Sequence, residues 1–152
     1  MAEPISPHFT FEELTHTAQR GLDNTPSPEI EASLKRLARS ILEPVRLLVG
    51  PMYISSGYRS PAVNAAVGGS EKSQHMKGEA ADWIPLRKNQ PLAATMQMII
   101  DSDILYDQII FEFNRWIHIS VAPTTRRPRR QALMIGDWTG NKYLPYDGTK
   151  VS

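Results

Sequence analysis

Apolar residues between positions 27 and 49 recur at helical spacing, with Ile30, Leu34, Leu37, Ile41, Val45 and Leu48 on one stripe. Ser27 supplies a hydroxyl cap, and Pro28 follows at the helical position where a missing N–H costs nothing. Pro44 is expected to kink or shorten the far end. Upstream, Thr10 and Glu13 have the spacing of a capping box, and Phe9 with Leu14 that of a hydrophobic staple, so a short helix starts there. Gly50 and Pro51 break the long helix before a strand at 53–56, and Ser60-Pro61 opens a short helix that stops at Gly68-Gly69. A further helix spans 91–100 and buries Leu92, Met96 and either Ile99 or Ile100. Strand patterns occupy 79–84, 106–113, 116–121 and 131–135. Helices followed by mostly adjacent strands imply an α+β domain, with helices packed on a small antiparallel sheet.

Composition changes this picture little. The 152 residues suit one domain, 1–152, large enough to bury a core without staples. There is no cysteine, hence no disulfide and no thiolate ligand. A net charge of +1 gives no general reason to bind nucleic acid. The first seven residues lack the basic flank and apolar run of a signal peptide, and no apolar run approaches a membrane span. Cytoplasmic synthesis of a monomer is the expectation.

The candidate chemistry lies in Ser73-Gln74-His75-Met76-Lys77-Gly78-Glu79-Ala80-Ala81-Asp82 and, further on, Trp116-Ile117-His118-Ile119-Ser120. Two neutral imidazoles and one carboxylate are the ligand set of a catalytic zinc that keeps a position open for water. His75 and Asp82 are seven residues apart. A helix would separate them by about 10.5 Å and an extended strand by about 23 Å. The chain must turn between them, and Gly78 permits it. His75 is read on a loop, Asp82 on the strand that follows. In the second segment Ile117, Ile119 and Val121 point to a core, which leaves Trp116, His118 and Ser120 on the other face, lining a cleft on the sheet. Taken singly, each histidine is as well explained as a surface or strand residue; together with Asp82 they favour a metal.

The pattern Ser73-x-His75-x-x-Gly78-x-Ala80-x-Asp82 resembles, at every fixed position, the zinc motif of the D-alanyl-D-alanine carboxypeptidase and dipeptidase family. That family groups with lysostaphin-type peptidases and the hedgehog signalling domain. The run Ile54-Ser55-Ser56-Gly57-Tyr58-Arg59-Ser60-Pro61-Ala62-Val63-Asn64 is similar to its second signature, while Phe11-Glu12-Glu13-Leu14 and Leu42-Glu43-Pro44-Val45-Arg46 resemble a small bacterial and phage branch. The resemblance covers roughly 8–122 and leaves 123–152 as a C-terminal extension. It implies a zinc peptidase acting on peptidoglycan stem peptides or muropeptides, as a carboxypeptidase or endopeptidase. Without a signal peptide, such an enzyme would need release to the wall, as in phage lysis by an endolysin.

The resemblance also implies that Arg59 grips a substrate carboxylate, for which a planar guanidinium is suited; a structural ion pair is the other reading. Ser73 either faces substrate or braces the loop. Several relatives carry an acidic residue three positions before the last histidine, but that position is Arg115 here. Glu112 is therefore the expected catalytic base, with Asp107 and Asp103 more distant. A three-residue hairpin loop would pair Glu112 with His118, on the correct face; a two-residue turn would pair it with Ile117, on the wrong one. The missing acid at 115 favours the alternative of an inactive zinc-containing cell-wall-binding or structural module. Arg126, Arg127, Arg129 and Arg130 read as a solvated loop. Trp138, Tyr143 and Tyr146 are expected to pack as a tail or rim the cleft, and His8 and His16 are structural.

Overall fold

The protein is described by a computed structural model over residues 3–151. A short antiparallel pair, β1 (Pro4–Ser6) and β2 (Phe9–Thr10), leads into α1 (Phe11–Thr15). The capping box forms: Glu13 N–H donates to Thr10 Oγ1 at 3.2 Å, and Thr10 N–H donates back to Glu13 Oε1 at 3.1 Å. Phe9 and Leu14 are buried beside it. Such a cap is worth about 1 kcal/mol, enough to matter in a helix too short to persist alone.

Pro44 does not end the long helix. It continues through α2 (Pro28–Leu37), a π-helical turn (Ala38–Leu42) and α3 (Glu43–Val49). Pro44 has no N–H for the preceding turn, and its ring would crowd the carbonyl four residues back. Widening that turn, so that Glu43 N–H reaches Ala38 O, removes the conflict without ending the helix. Leu34, Leu37, Ile41 and Val45 are buried along the stripe, with Ile30 and Leu48 partly so.

The described residues form one six-stranded sheet, from β3 (Met52–Ser56), β4 (Ala80–Pro85), β5 (Gln108–Glu112), β6 (Trp116–Ser120), β7 (Gln131–Ile135) and β8 (Leu144–Pro145). Its order is β3-β4-β6-β5-β7-β8. The fold is α+β, but the sheet is not wholly antiparallel, because β5 and β7 run parallel. The segment after β6 returns past the start of β5, where Arg130 N–H bonds Tyr106 O and Gln131 N–H bonds Asp107 O. β7 therefore begins level with β5 and runs the same way.

Alternation divides the sheet into two faces. Ala81, Trp83, Ile109, Phe111, Ile117 and Ile119 face the core beneath the helices. After α4 (Pro61–Ala66), α5 (Leu92–Ile100) adds Met96 and Ile99 to that core, with Ile99 rather than Ile100 fully buried. The opposite face carries Asp82, Ile110, Glu112 and His118. The C-terminal segment completes the sheet and also packs Trp138 and Tyr146 against Phe111. Among the described residues, no helix is long and apolar enough to cross a membrane.

Candidate metal centre

The β4–β6 ladder sets Asp82 directly opposite His118, with Ile110 on the other side of His118. Same-face cross-strand neighbours lie close enough for short side chains to meet. β3 is irregular beside Asp82, its register shifting between Ile54 and Ser56, and such bulges re-aim side chains at sites. His75 comes from a different element, a single 3-10 turn (Gln74–Lys77) rather than an irregular loop. Ser73 caps that turn by accepting His75 N–H at 3.2 Å. Gly78 closes it at φ 70°, where a Cβ would lie 3.0 Å from the Ile30 backbone oxygen. Glycine thus lets the turn sit directly on α2.

These elements bring three buried polar groups together. His75 Nε2 lies 3.2 Å, and His118 Nδ1 3.0 Å, from the same Asp82 oxygen. One ligand atom from each residue lies within 4.8 Å of the others. Donors around a tetrahedral zinc, each at about 2.0–2.2 Å, sit roughly 3.3 Å apart, so the spacing suits a shared ion. The second imidazole nitrogen of His75 supports the same use. Nδ1 lies 2.7 Å from the Gly57 carbonyl oxygen, which only accepts, so a neutral His75 carries its hydrogen on Nδ1 and would present Nε2 to an ion. Burial alone would raise the Asp82 carboxyl, but the neighbouring imidazoles outweigh it and hold the group well below the usual carboxylate range. The donor set is therefore anionic oxygen with inward-facing imidazole nitrogens, and it fits a divalent cation.

The three residues lie beside a cleft of about 480 Å³ whose lining includes His75, His118, Arg59, Ser73 and Glu112. Glu112 does not pair with His118 as expected; it stands opposite Trp116. The β5–β6 ladder ends at Glu112 and residues 113–115 make the turn, with Phe113 and Asn114 at positive φ and Arg115 N–H donating to Glu112 O. The face is nevertheless the expected one, because Trp116 and His118 share it. Trp116 Nε1 donates to Glu112 Oε1 at 3.1 Å. Burial, and then the Asp82 charge, push the Glu112 carboxyl up, against His118, the Trp116 N–H and Arg59. Arg115 is exposed in the turn.

Arg59 is part of the site's frame. It donates to Ser56 Oγ at 3.1 Å, to Asn64 Oδ1 at 3.2 Å and to Asp82 Oδ2 at 3.4 Å. A guanidinium has five N–H donors, so each terminal nitrogen retains one for a ligand. The pattern reading assigned no role to Gln74, Lys72, Gln108 or Gln131, all on the cleft wall, which Tyr143 joins as one of the two places expected for it. Gln108 shares the alternation of Ile110 and Glu112 and was legible.

A model described as Peptidase M15 matches residues 7–120. The chain belongs to the peptidase M15 family. This is the D-Ala-D-Ala carboxypeptidase-type family that the motifs resemble. No curated protein matches the chain. His75, Asp82, His118, Glu112, Arg59 and Ser73 all lie within the M15 match, whereas Gln131 and Tyr143 come from beyond it.

One M15-flanking segment contradicts its sequence reading. The arginine run is no merely solvated loop, because Arg126 and Arg129 both bind Asp107, whose side chain is fully buried. Arg130 donates to the Ile104 and Ser102 carbonyls and lies over the Tyr106 ring. Asp107 is thereby removed from consideration as a base, and Asp103 lines a different hollow. His8 pairs with Glu43 and His16 contacts Ile54 O, as structural residues do.

Proposed function

We propose that this M15 peptidase is zinc-dependent and hydrolyses peptide bonds in peptidoglycan stem peptides. The observation that carries the reading is the buried His75–Asp82–His118 group beside a cleft that also holds a carboxylate, Glu112. His75 through Nε2, Asp82 through its carboxylate and His118 through Nδ1 would hold the ion. When bound, zinc polarises the scissile carbonyl and acidifies the attacking water.

The chain's own residues supply the rest. Glu112 takes a proton from the water at its carboxylate and returns it to the leaving amine. Arg59, already fixed by Ser56, Asn64 and Asp82, offers its remaining N–H groups to a substrate carboxylate. Ser73 lines the same wall and keeps the His75 turn in place. The acid expected at 115 is absent, which favours a binding module, but Glu112 on the cleft wall supports hydrolysis.

The test is digestion of purified peptidoglycan by zinc-loaded and chelated protein, with product masses. New stem-peptide fragments only in the zinc-loaded sample are expected, and their masses identify the bond cut. Identical fragment profiles with and without zinc would reject the proposal.

A further inference from the structure

We infer that Gln74 and Asp107, braced by Arg126 and Arg129, are positioning residues that decide which nitrogen of His118 faces the metal; this rests on the zinc-site reading above. Donors and acceptors alternate along one chain of contacts from the arginines to His118. Asp107 is completely buried. Arg126 grips it as a fork, Nη1 to Oδ1 at 2.7 Å and Nη2 to Oδ2 at 2.9 Å. Arg129 adds Nη2 to Oδ2 at 2.8 Å, and both its Nε and its backbone N–H reach Oδ1 at 3.1 Å. Guanidiniums only donate, so both carboxylate oxygens accept and the group stays ionised.

Gln74 lies next in the chain. Its amide nitrogen is 3.1 Å from Asp107 Oδ2 and its amide oxygen 3.2 Å from His118 Nε2. Because the carboxylate can only accept, the amide must turn its NH₂ towards Asp107. Its oxygen then faces His118 and can only accept in turn. His118 must carry hydrogen on Nε2, so the neutral ring that binds a metal has Nδ1 free for it. Nδ1 is the nitrogen 3.0 Å from Asp82. The two imidazoles are thus oriented by separate devices: the Gly57 carbonyl presents Nε2 of His75, and the Asp107–Gln74 relay presents Nδ1 of His118. The arginines come from beyond the family match, so this segment reaches the metal position through three intervening side chains.

The experiment measures zinc affinity by competition with a chromophoric chelator, with melting of the metal-free chain alongside. Gln74→Met keeps length and volume but removes the amide; Asp107→Asn reverses one donor. With the native chain binding zinc, Gln74→Met should bind about 10- to 100-fold more weakly, the usual consequence of losing a partner behind a metal ligand. Nitrogen-15 signals of the zinc-loaded native chain should show His118 metallated at Nδ1 and protonated at Nε2, and Gln74→Met should lose that uniform form. Asp107→Asn, if it folds, should weaken zinc in the same way. Unchanged zinc affinity in Gln74→Met overturns the relay, and so does a lowered melting temperature with unchanged affinity, which marks a brace alone. A native chain that takes up no zinc overturns the site reading itself and the relay with it.

Discussion

His75 directs Nδ1 at the carbonyl oxygen of Gly57, 2.7 Å away, and Nε2 at Asp82, 3.2 Å away. One ring thereby joins the loop after β3 to the strand β4. Gly57 has no room for a side chain, since a Cβ would collide with the backbone carbonyl of Leu14. The same Leu14 oxygen accepts Tyr58 N–H at 2.7 Å. The end of α1 therefore fixes where the Gly57 carbonyl sits, and through it how the imidazole is turned.

Gly57→Ala should force that loop outward. Overpacking of this kind costs about 1–3 kcal/mol, so the melting temperature should fall, and zinc affinity should fall with it as the carbonyl moves from His75. Thermal melts with and without zinc measure both effects. A variant that melts and binds zinc like the native chain would show that the loop shifts without disturbing the ring.

A second expectation concerns acid stability. Burial acts to raise the Asp107 carboxyl, but hydrogen bonds from Arg126 and then Arg129 outweigh it and hold the group well below the usual range. Below the unfolded value of about 3.9, the unfolded chain binds this proton more readily than the folded one. The stabilisation is therefore complete above that pH and is lost as pH falls towards the native value. Arg126→Ala weakens the clamp and should shallow the fall in melting temperature below about pH 4. Melting curves at stepped acid pH test this; parallel declines in native and variant would contradict it.

Much of this architecture was legible because it is local and periodic. The Thr10–Glu13 box, the Ser27 cap, the stripe from Ile30 to Val45 and the alternation around His118 each depend on neighbours a few residues away. What escaped depends on distant pairings. The direct opposition of Asp82 and His118 arises because β6, not β5, pairs with β4. The register of Glu112 follows instead from the turn at Phe113 and Asn114, both in the left-handed region at φ 56° and 54°. Four crowded arginines looked solvated because the buried carboxylate that two of them serve lies 19 and 22 residues away.

Arg59 offers a test of substrate grip. Arg59→Lys keeps the charge but loses the planar fork. Turnover of peptides ending in a free carboxylate should drop more than that of their amidated counterparts, while zinc content stays near native. Steady-state kinetics on the paired substrates read the difference. Equal losses on both would assign Arg59 to the frame around Asp82 alone.

The decisive comparison is hydrolysis of a peptidoglycan stem peptide by zinc-loaded native protein and Glu112→Gln, with zinc content determined on the same samples. The substitution preserves shape and removes the basic site. Native protein should cleave the peptide, and Glu112→Gln should hold equal zinc yet cleave it about two to four orders of magnitude more slowly. Full activity in Glu112→Gln, or a native protein that holds zinc and cleaves nothing, would contradict the account.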